Sequence, residues 1–267
     1  MSPGPRLPLL FDIPAPGSSF TDLLSVMGYA PAVELPGRAE LGRPAQMPEG
    51  TTVLALRHSD GVVMVGDRQA TEGNQVAHRD IRKVFPADNY SAVAIAGTAG
   101  LALEMVRLFQ VELEHFEKIE GHRLTLEGKA AFLARLVRNQ LAMAFQGLVV
   151  VPLFAGFDTL AGRGRLYTYD VVGGRYEEND FGSNGSGARL AKSYLRTAWS
   201  EGLTAEQAVT VGVAALVAAA QEDTATGGPD LRRGILPTVL VIGPDGVREL
   251  ADEEIRPAAE TAVEQIR

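Results

Sequence analysis

Three residues of this 267-residue chain have types and spacings suited to nucleophilic chemistry: Thr51, Asp67 and Lys83. Thr51 stands in Gly50-Thr51-Thr52. Asp67 follows it by 16 residues in Val65-Gly66-Asp67-Arg68, and Lys83 by 32 in Ile81-Arg82-Lys83-Val84-Phe85. A hydroxyl is a weak nucleophile at neutral pH unless a base adjoins it, and a threonine released at its amino end carries such a base in its own α-amine. That amine titrates near ~7.7–8.0, close enough to neutrality to accept and return a proton. While the Gly50–Thr51 bond is intact the nitrogen is an amide and cannot serve. A lysine beside the hydroxyl would lower the cost of negative charge developing on the oxygen, and a carboxylate would hold that lysine charged and oriented. Taken alone, Thr51 reads as an ordinary strand residue, since threonine favours strands. An Asp–Lys pair on a surface contributes only ~0–1 kcal/mol. Apolar Ile81, Val84 and Phe85 around Lys83 argue for partial burial, and the matched spacing favours the chemical reading. Thr52 is the neighbouring alternative nucleophile.

These residues need rigid elements to hold them. Thr52–Arg57 and Gly61–Asp67 are rich in β-branched residues around a Ser59-Asp60-Gly61 turn and read as a hairpin. A second hairpin is expected from Arg82–Pro86 and Tyr90–Ala96. Gly97-Thr98-Ala99-Gly100 then leads into a helical pattern in which Leu101, Met105, Leu108, Phe109, Leu113 and Phe116 recur at three- and four-residue spacings, ending at Gly121. A second helix is expected over Leu126–Phe145. Strands resume at Leu148–Asp158 and Arg165–Val172. Gly182 to Gly187 reads as a glycine-rich turn into a helix, Ala188–Glu201. Thr204 and Gln207 form a capping-box signature for a helix to Glu222. A loop, 223–234, a hairpin of Thr238–Ile242 and Val247–Leu250, and a short charged helix complete the chain. Segregated strands and helices argue an α+β fold rather than a parallel βαβ sheet. Two packed antiparallel sheets with a helix pair on each outer side would bury every apolar face.

Residues 1–50 differ in composition, holding nine of the fifteen prolines. Proline fixes φ and removes backbone donors, so an extended or poorly ordered leader is expected. A flexible tail and a removable pro-segment both fit. The abrupt end at Gly50-Thr51 favours the pro-segment, with cleavage between those two residues.

Composition narrows the function further. A net charge of −8 argues against a general nucleic-acid surface. The absence of cysteine excludes a thiol nucleophile, a disulfide framework and Cys-ligated zinc. His58, His78, His115 and His122 are scattered without an HExxH pattern, so no metal is expected. No nucleophile elbow supports a serine triad. Gly182-Ser183-Asn184-Gly185-Ser186-Gly187 matches neither the Walker A nor the dinucleotide pattern. Apolar runs such as Leu148–Phe157 are too short to span a bilayer, and the N-terminus lacks a signal-peptide pattern. A soluble cytoplasmic protein, with no membrane or nucleic-acid partner, is the expectation.

The order and spacing of Gly50-Thr51-Thr52, Gly66-Asp67-Arg68, Arg82-Lys83-Val84, Ala96-Gly97-Thr98-Ala99-Gly100, Gly185-Ser186-Gly187 and Asp223-Thr224-Ala225-Thr226-Gly227-Gly228 resemble the proteasome β-type subunits, the actinobacterial 20S type in particular. The resemblance covers about all of 51–267. It implies an N-terminal-nucleophile hydrolase with a four-layer αββα sandwich, preceded by a leader of residues 1–50 that the subunit removes itself. It implies a threonine endopeptidase with Thr51 as nucleophile and Lys83 and Asp67 beside it. Gly97 would give its backbone N–H to the oxyanion, although a strand-to-helix turn explains the same glycine. Ser186 and Asp223 match the family's pair around the amine, and Thr226 a further hydroxyl position where many relatives have serine. Thr71, Gly97 and Ala99 would present backbone groups to an extended substrate. Ala70, Ile81, Phe85, Ile95, Ala99 and Leu103 fall where the family lines its first specificity pocket, which suggests cleavage after apolar residues. Core packing explains Ile81, Phe85 and Leu103 equally well.

The partners implied are a β ring of seven copies, two such rings stacked between two α-type rings, an ATP-dependent unfoldase reached through the α ring, and unfolded protein substrates. No cofactor is implied. Two other readings share part of the pattern. The simpler two-ring bacterial peptidase related to proteasomes usually has a very short leader. A non-catalytic ring subunit typically lacks the threonine or the lysine.

Overall fold

The computed structural model describes residues 51–72 and 75–266. The expectations for residues 1–50 therefore lie outside the described residues.

Twelve strands and six helices are seen among the described residues. β1 (Thr52–His58) and β2 (Gly61–Gly66) pair antiparallel with Val53 opposite Gly66 and His58 opposite Gly61. β11 (Thr238–Gly243) adds to β2, β12 (Gly246–Glu249) adds to β11, and β10 (Phe181–Gly185) adds to the far side of β1. The first sheet thus runs β10-β1-β2-β11-β12. The second runs β5-β6-β7-β8-β9, from β5 (Val84–Asp88), β6 (Ser91–Gly97), β7 (Val150–Asp158), β8 (Arg163–Tyr169) and β9 (Arg175–Glu178). A small separate hairpin joins β3 (Ala70–Glu72) to β4 (Gln75–His78).

Alternation along the strands sorts side chains into layers. Val53, Ala55, Val62 and Met64 of the first sheet meet Ala92, Ala94, Leu153 and Leu166 of the second. Leu54, Leu56, Val63 and Val65 point the other way, onto α4 (Ala188–Ala198), α5 (Ala205–Glu222) and α6 (Asp252–Gln265). Val93, Ile95, Phe154 and Tyr167 pack under α1 (Ala99–Glu120) and α2 (Leu126–Asn139). The result is an αββα sandwich. It explains why β1 reads as a continuous apolar run, since both of its faces are covered.

Helix ends follow local chemistry. Thr204 and Gln207 close the capping box on α5, with Gln207 N–H donating to Thr204 Oγ1 at 3.2 Å and Thr204 N–H to Gln207 Oε1 at 2.8 Å. Gly121 ends α1 at φ 72°, a left-handed conformation suited to glycine.

Four local expectations differ from the structure. The helix expected over 126–145 breaks at Gln140 into α2 and α3 (Leu141–Phe145). The expected turn 182–187 is mostly strand β10. Gly182 reflects crowding between the sheets rather than a turn, for a Cβ there would fall 2.8 Å from Thr168 Cγ2. β9 went unseen because Arg175-Tyr176-Glu177-Glu178 is a charged edge strand without apolar alternation. β3–β4 went unseen because its strands are short and β4 is exposed.

Candidate active site

Thr51 immediately precedes β1 and is 6% exposed. Its carbonyl accepts the backbone N–H of Ser186 at 2.9 Å and the Ser186 hydroxyl at 3.2 Å. This contact needs Gly185, whose φ is +103° and whose Cβ, if it had one, would lie 1.9 Å from that carbonyl oxygen.

Asp67 follows the end of β2, and its carboxylate is fully enclosed. Oδ1 accepts the Thr52 N–H at 2.8 Å and Lys83 Nζ at 2.7 Å. Oδ2 accepts the Gln69 N–H at 3.1 Å and the Gly227 N–H at 3.0 Å. Lys83 also donates to the Gln69 carbonyl. The side chains of the pair are 6% and 0% exposed. Burial pulls the Lys83 ammonium below the ordinary lysine value, and the Asp67 charge opposes that fall. Burial likewise pushes Asp67 above its ordinary value, against the pull of Lys83 and the backbone donors. Four donors converge on this carboxylate, which favours its charged form.

A second polar cluster meets the other side of β1. Asp223, the residue that caps the C-terminus of α5, accepts the Ser186 hydroxyl at 2.6 Å and the Thr226 hydroxyl at 2.5 Å on Oδ2. Thr226 Oγ1 lies 2.6 Å from Thr52 Oγ1. Thr52 Oγ1 also accepts the Gly187 N–H at 3.0 Å.

Thr51 and Lys83 open onto a cavity of about 230 Å³. Ala70, Thr71, Ile81, Ile95, Gly97, Ala99 and Leu103 line it, with Ala77, His78, Arg82 and Ala102 in addition. Gly97 ends β6 at φ +112°, and a Cβ there would fall 2.1 Å from the Val149 carbonyl. Phe85, also expected in the lining with core packing as the equal alternative, is not among the lining residues. Ile95 donates its N–H to the Lys83 carbonyl and so sits level with the lysine, whereas Phe85 pairs with Val93, farther along the strand. Phe85 packs against the core beneath α1 and α2, as Ile95 and Leu103 also do. Arg82 is engaged by Glu249 at 2.6 Å and by the Val84 carbonyl at 2.8 Å. Most of the wall is therefore apolar.

The model of the family described as proteasome subunit matches residues 47–230. The chain belongs to the proteasome subunit family. It is 51% identical over 263 residues to a protein named proteasome subunit beta from Streptomyces griseus, spanning 97% of this chain and 92% of that one. It is 52% identical over 262 residues to a protein of the same name from Acidimicrobium ferrooxidans, spanning 97% and 95%. A third of that name, from Stackebrandtia nassauensis, is 51% identical over 264 residues.

Within this proteasome-type fold the candidate residues come from six places. Thr51 precedes β1, Asp67 follows β2, Lys83 precedes β5, Gly97 ends β6, and Ser186 and Asp223 sit at helix termini. Sequence reasoning passed over Ala77, His78, Arg82 and Ala102 in the cavity wall. It also passed over the hydroxyl of Thr52, weighed only as an alternative nucleophile. Its signal was the doubled threonine itself, beside a Ser186/Asp223/Thr226 set known only from the resemblance. Among the described residues no group of three His, Asp or Glu side chains is placed to hold a metal ion. No described helix is long and apolar enough to cross a membrane.

Proposed function

We propose that the chain is the catalytic β subunit of a bacterial proteasome, a threonine endopeptidase whose nucleophile is Thr51. The observation that carries this is the enclosed Asp67–Lys83 pair at 2.7 Å, with Lys83 lining the same cavity as Thr51. Residues 1–50 form a removable pro-segment and 51–267 the hydrolase domain. Thr51 Oγ first attacks the Gly50 carbonyl. The Gly50–Thr51 bond breaks, and water hydrolyses the resulting ester, leaving the Thr51 α-amine. That amine then takes the Oγ proton as the hydroxyl attacks a substrate carbonyl, and returns it to the leaving amine. Water resolves the acyl-enzyme.

Lys83 stabilises charge on Oγ, and Asp67 fixes Lys83. The Gly97 N–H would receive the oxyanion, a contribution of about 2.7–4 kcal/mol in comparable sites. Asp223 and Ser186 orient the amine. The substrate adds as an extended strand along Thr71, Gly97 and Ala99, with an apolar side chain in the cavity. The subunit works in seven-membered β rings stacked with α-type rings, fed with unfolded protein by an ATP-dependent unfoldase, in the cytoplasm.

The test is Thr51→Ala, co-assembled with an α-type partner. The parent chain should lose residues 1–50 by intact mass and cleave peptides. T51A should form rings, keep residues 1–50 and show no turnover. T51A rings that hydrolyse peptide at the parental rate would exclude Thr51 as nucleophile.

A further inference from the structure

We propose that Thr52 is a positioning residue for this reaction: its hydroxyl, acting through Thr226, fixes Asp223 and Ser186 beside the nucleophile. The proposal rests on the reading of Thr51 as nucleophile.

Thr52 is fully buried and is bound on both sides of its strand. Its backbone belongs to the ion pair. The Thr52 N–H donates to Asp67 Oδ1 at 2.8 Å, and the Thr52 carbonyl accepts the Asp67 N–H at 3.1 Å. Its side chain belongs to the helices. Gly187, the residue at the N-cap of α4, donates to Thr52 Oγ1 at 3.0 Å, and Thr226 Oγ1 lies 2.6 Å away. Proton counting then gives the direction of the chain. Thr226 has one hydroxyl hydrogen, and an ionised carboxylate only accepts. The 2.5 Å contact to Asp223 Oδ2 claims that hydrogen. The Thr52 hydrogen must therefore go to Thr226. The resulting path runs from Gly187 N–H to Thr52, to Thr226, to Asp223, which Ser186 also contacts at 2.6 Å. Each donor in such a path polarises the next.

The consequence is that one residue ties the two halves of the site together. Asp67, which in turn holds Lys83, is bonded to its backbone, and Asp223, which holds Ser186, is reached from its hydroxyl through Thr226. Valine has nearly the same shape but no donor. It would leave the Gly187 N–H without its acceptor and Thr226 without its donor, while touching neither the substrate cavity nor Lys83. Serine would restore both bonds.

The experiment measures kcat and KM on a fluorogenic peptide with an apolar residue before the reporter. Rings isolated by size exclusion are assayed, and rates are taken per processed chain from intact mass. The variants are T51A, T52V, T52S, T226V and T52V/T226V. T52V should lower kcat about tenfold, the rate equivalent of one hydrogen bond, with KM within about twofold. T52S should return to within about twofold of the parent. In the T226V background T52V should cost nothing more, because the path is already cut. Where T52V yields no rings, T52A is assayed with the same expectation. The proposal is overturned by a T52V kcat within twofold of the parent, by T52S as slow as T52V, or by additive losses in the double variant. Inactive T51A leaves the nucleophile assignment standing whichever way T52V falls. Active T51A removes that assignment itself.

Discussion

Asp67→Asn is the sharpest perturbation of the candidate site, because nearly all of its volume is retained while its chemistry changes. The carboxylate uses both oxygens twice, Oδ1 for Thr52 N–H and Lys83 Nζ, Oδ2 for Gln69 N–H and Gly227 N–H. An asparagine has one oxygen and one NH₂. Whichever way the amide turns, its NH₂ faces two donors. Each buried donor left without an acceptor costs about 1–3 kcal/mol. The loss is about 1–3 kcal/mol if the NH₂ faces Thr52 and Lys83, since Lys83 keeps the Gln69 carbonyl, and about 2–6 kcal/mol if it faces Gln69 and Gly227. Lys83 also loses its counter-charge in a site that is almost closed to water. Burial already holds it below the ordinary lysine value, and without the carboxylate it drops further toward the neutral amine. Loss of a preorganised charge at the reacting oxygen lowers kcat by about 10²–10³.

The assay combines intact mass for removal of residues 1–50, peptide hydrolysis per assembled ring, and thermal unfolding. D67N is expected to process slowly, to turn over at least about a hundredfold more slowly, and to melt earlier. Full processing with a kcat within threefold of the parent would refute the role given to the pair. So would a normal melting temperature, which would mean that the four donors find other acceptors.

Two further predictions follow from geometry away from the ion pair. Gly187→Ala places a Cβ 2.4 Å from Thr52 Oγ1 and 2.6 Å from Thr226 Oγ1. It should lower stability by about 1–3 kcal/mol and slow hydrolysis, read by melting and by peptide assay; unchanged kcat would mean that the hydroxyl cluster is not needed in this arrangement. Asp88→Asn breaks a second buried pair, Lys129–Asp88 at 2.5 Å, and should cost about 3 kcal/mol at pH 7. Burial pushes Asp88 up, but Lys129, the Ser91 hydroxyl and the Tyr90 N–H outweigh it and hold the carboxyl below its ordinary value. Its contribution is therefore complete above the unfolded value of about 3.9 and is lost as pH falls through the lower folded value. Melts at pH 7 and near pH 3 should show the gap between parent and D88N shrinking in acid, and a constant gap would contradict this.

The layers were legible in the sequence because burial on two faces leaves a plain mark. Val53-Leu54-Ala55-Leu56 is an unbroken apolar run only because a sheet covers one face and helices the other. The spacing of Thr51, Asp67 and Lys83 could be read because each lies at or near the end of an expected strand, although Lys83 was placed inside Arg82–Pro86 and in fact precedes β5. What could not be read depends on chain crossings. Thr52 meets Thr226 across 174 residues, and no local pattern announces that contact. Glycine was misleading for the same reason. Gly182 looks like a turn residue and is a strand residue whose missing Cβ makes room for the neighbouring sheet. Phe85 was expected in the pocket from the family resemblance, with core packing an equal alternative; in the fold it pairs with Val93 and packs against the core under α1 and α2.

The placement of Thr51 also bears on how activation would work. Two anchors fix its backbone. Its carbonyl accepts from Ser186, and the next peptide N–H, that of Thr52, donates to Asp67. Neither bond uses the Thr51 nitrogen. On the proposed reading, cutting Gly50–Thr51 changes that nitrogen from an amide to a basic amine without disturbing either anchor. The Asp67–Lys83 pair and the cavity that Thr51 and Lys83 line are then already formed before cleavage, and the latch is chemical rather than conformational. A latch of this kind needs no rearrangement of the sandwich. It asks only that the ion pair and the hydroxyl cluster be fully satisfied beforehand, and every polar group in them has a partner within the fold.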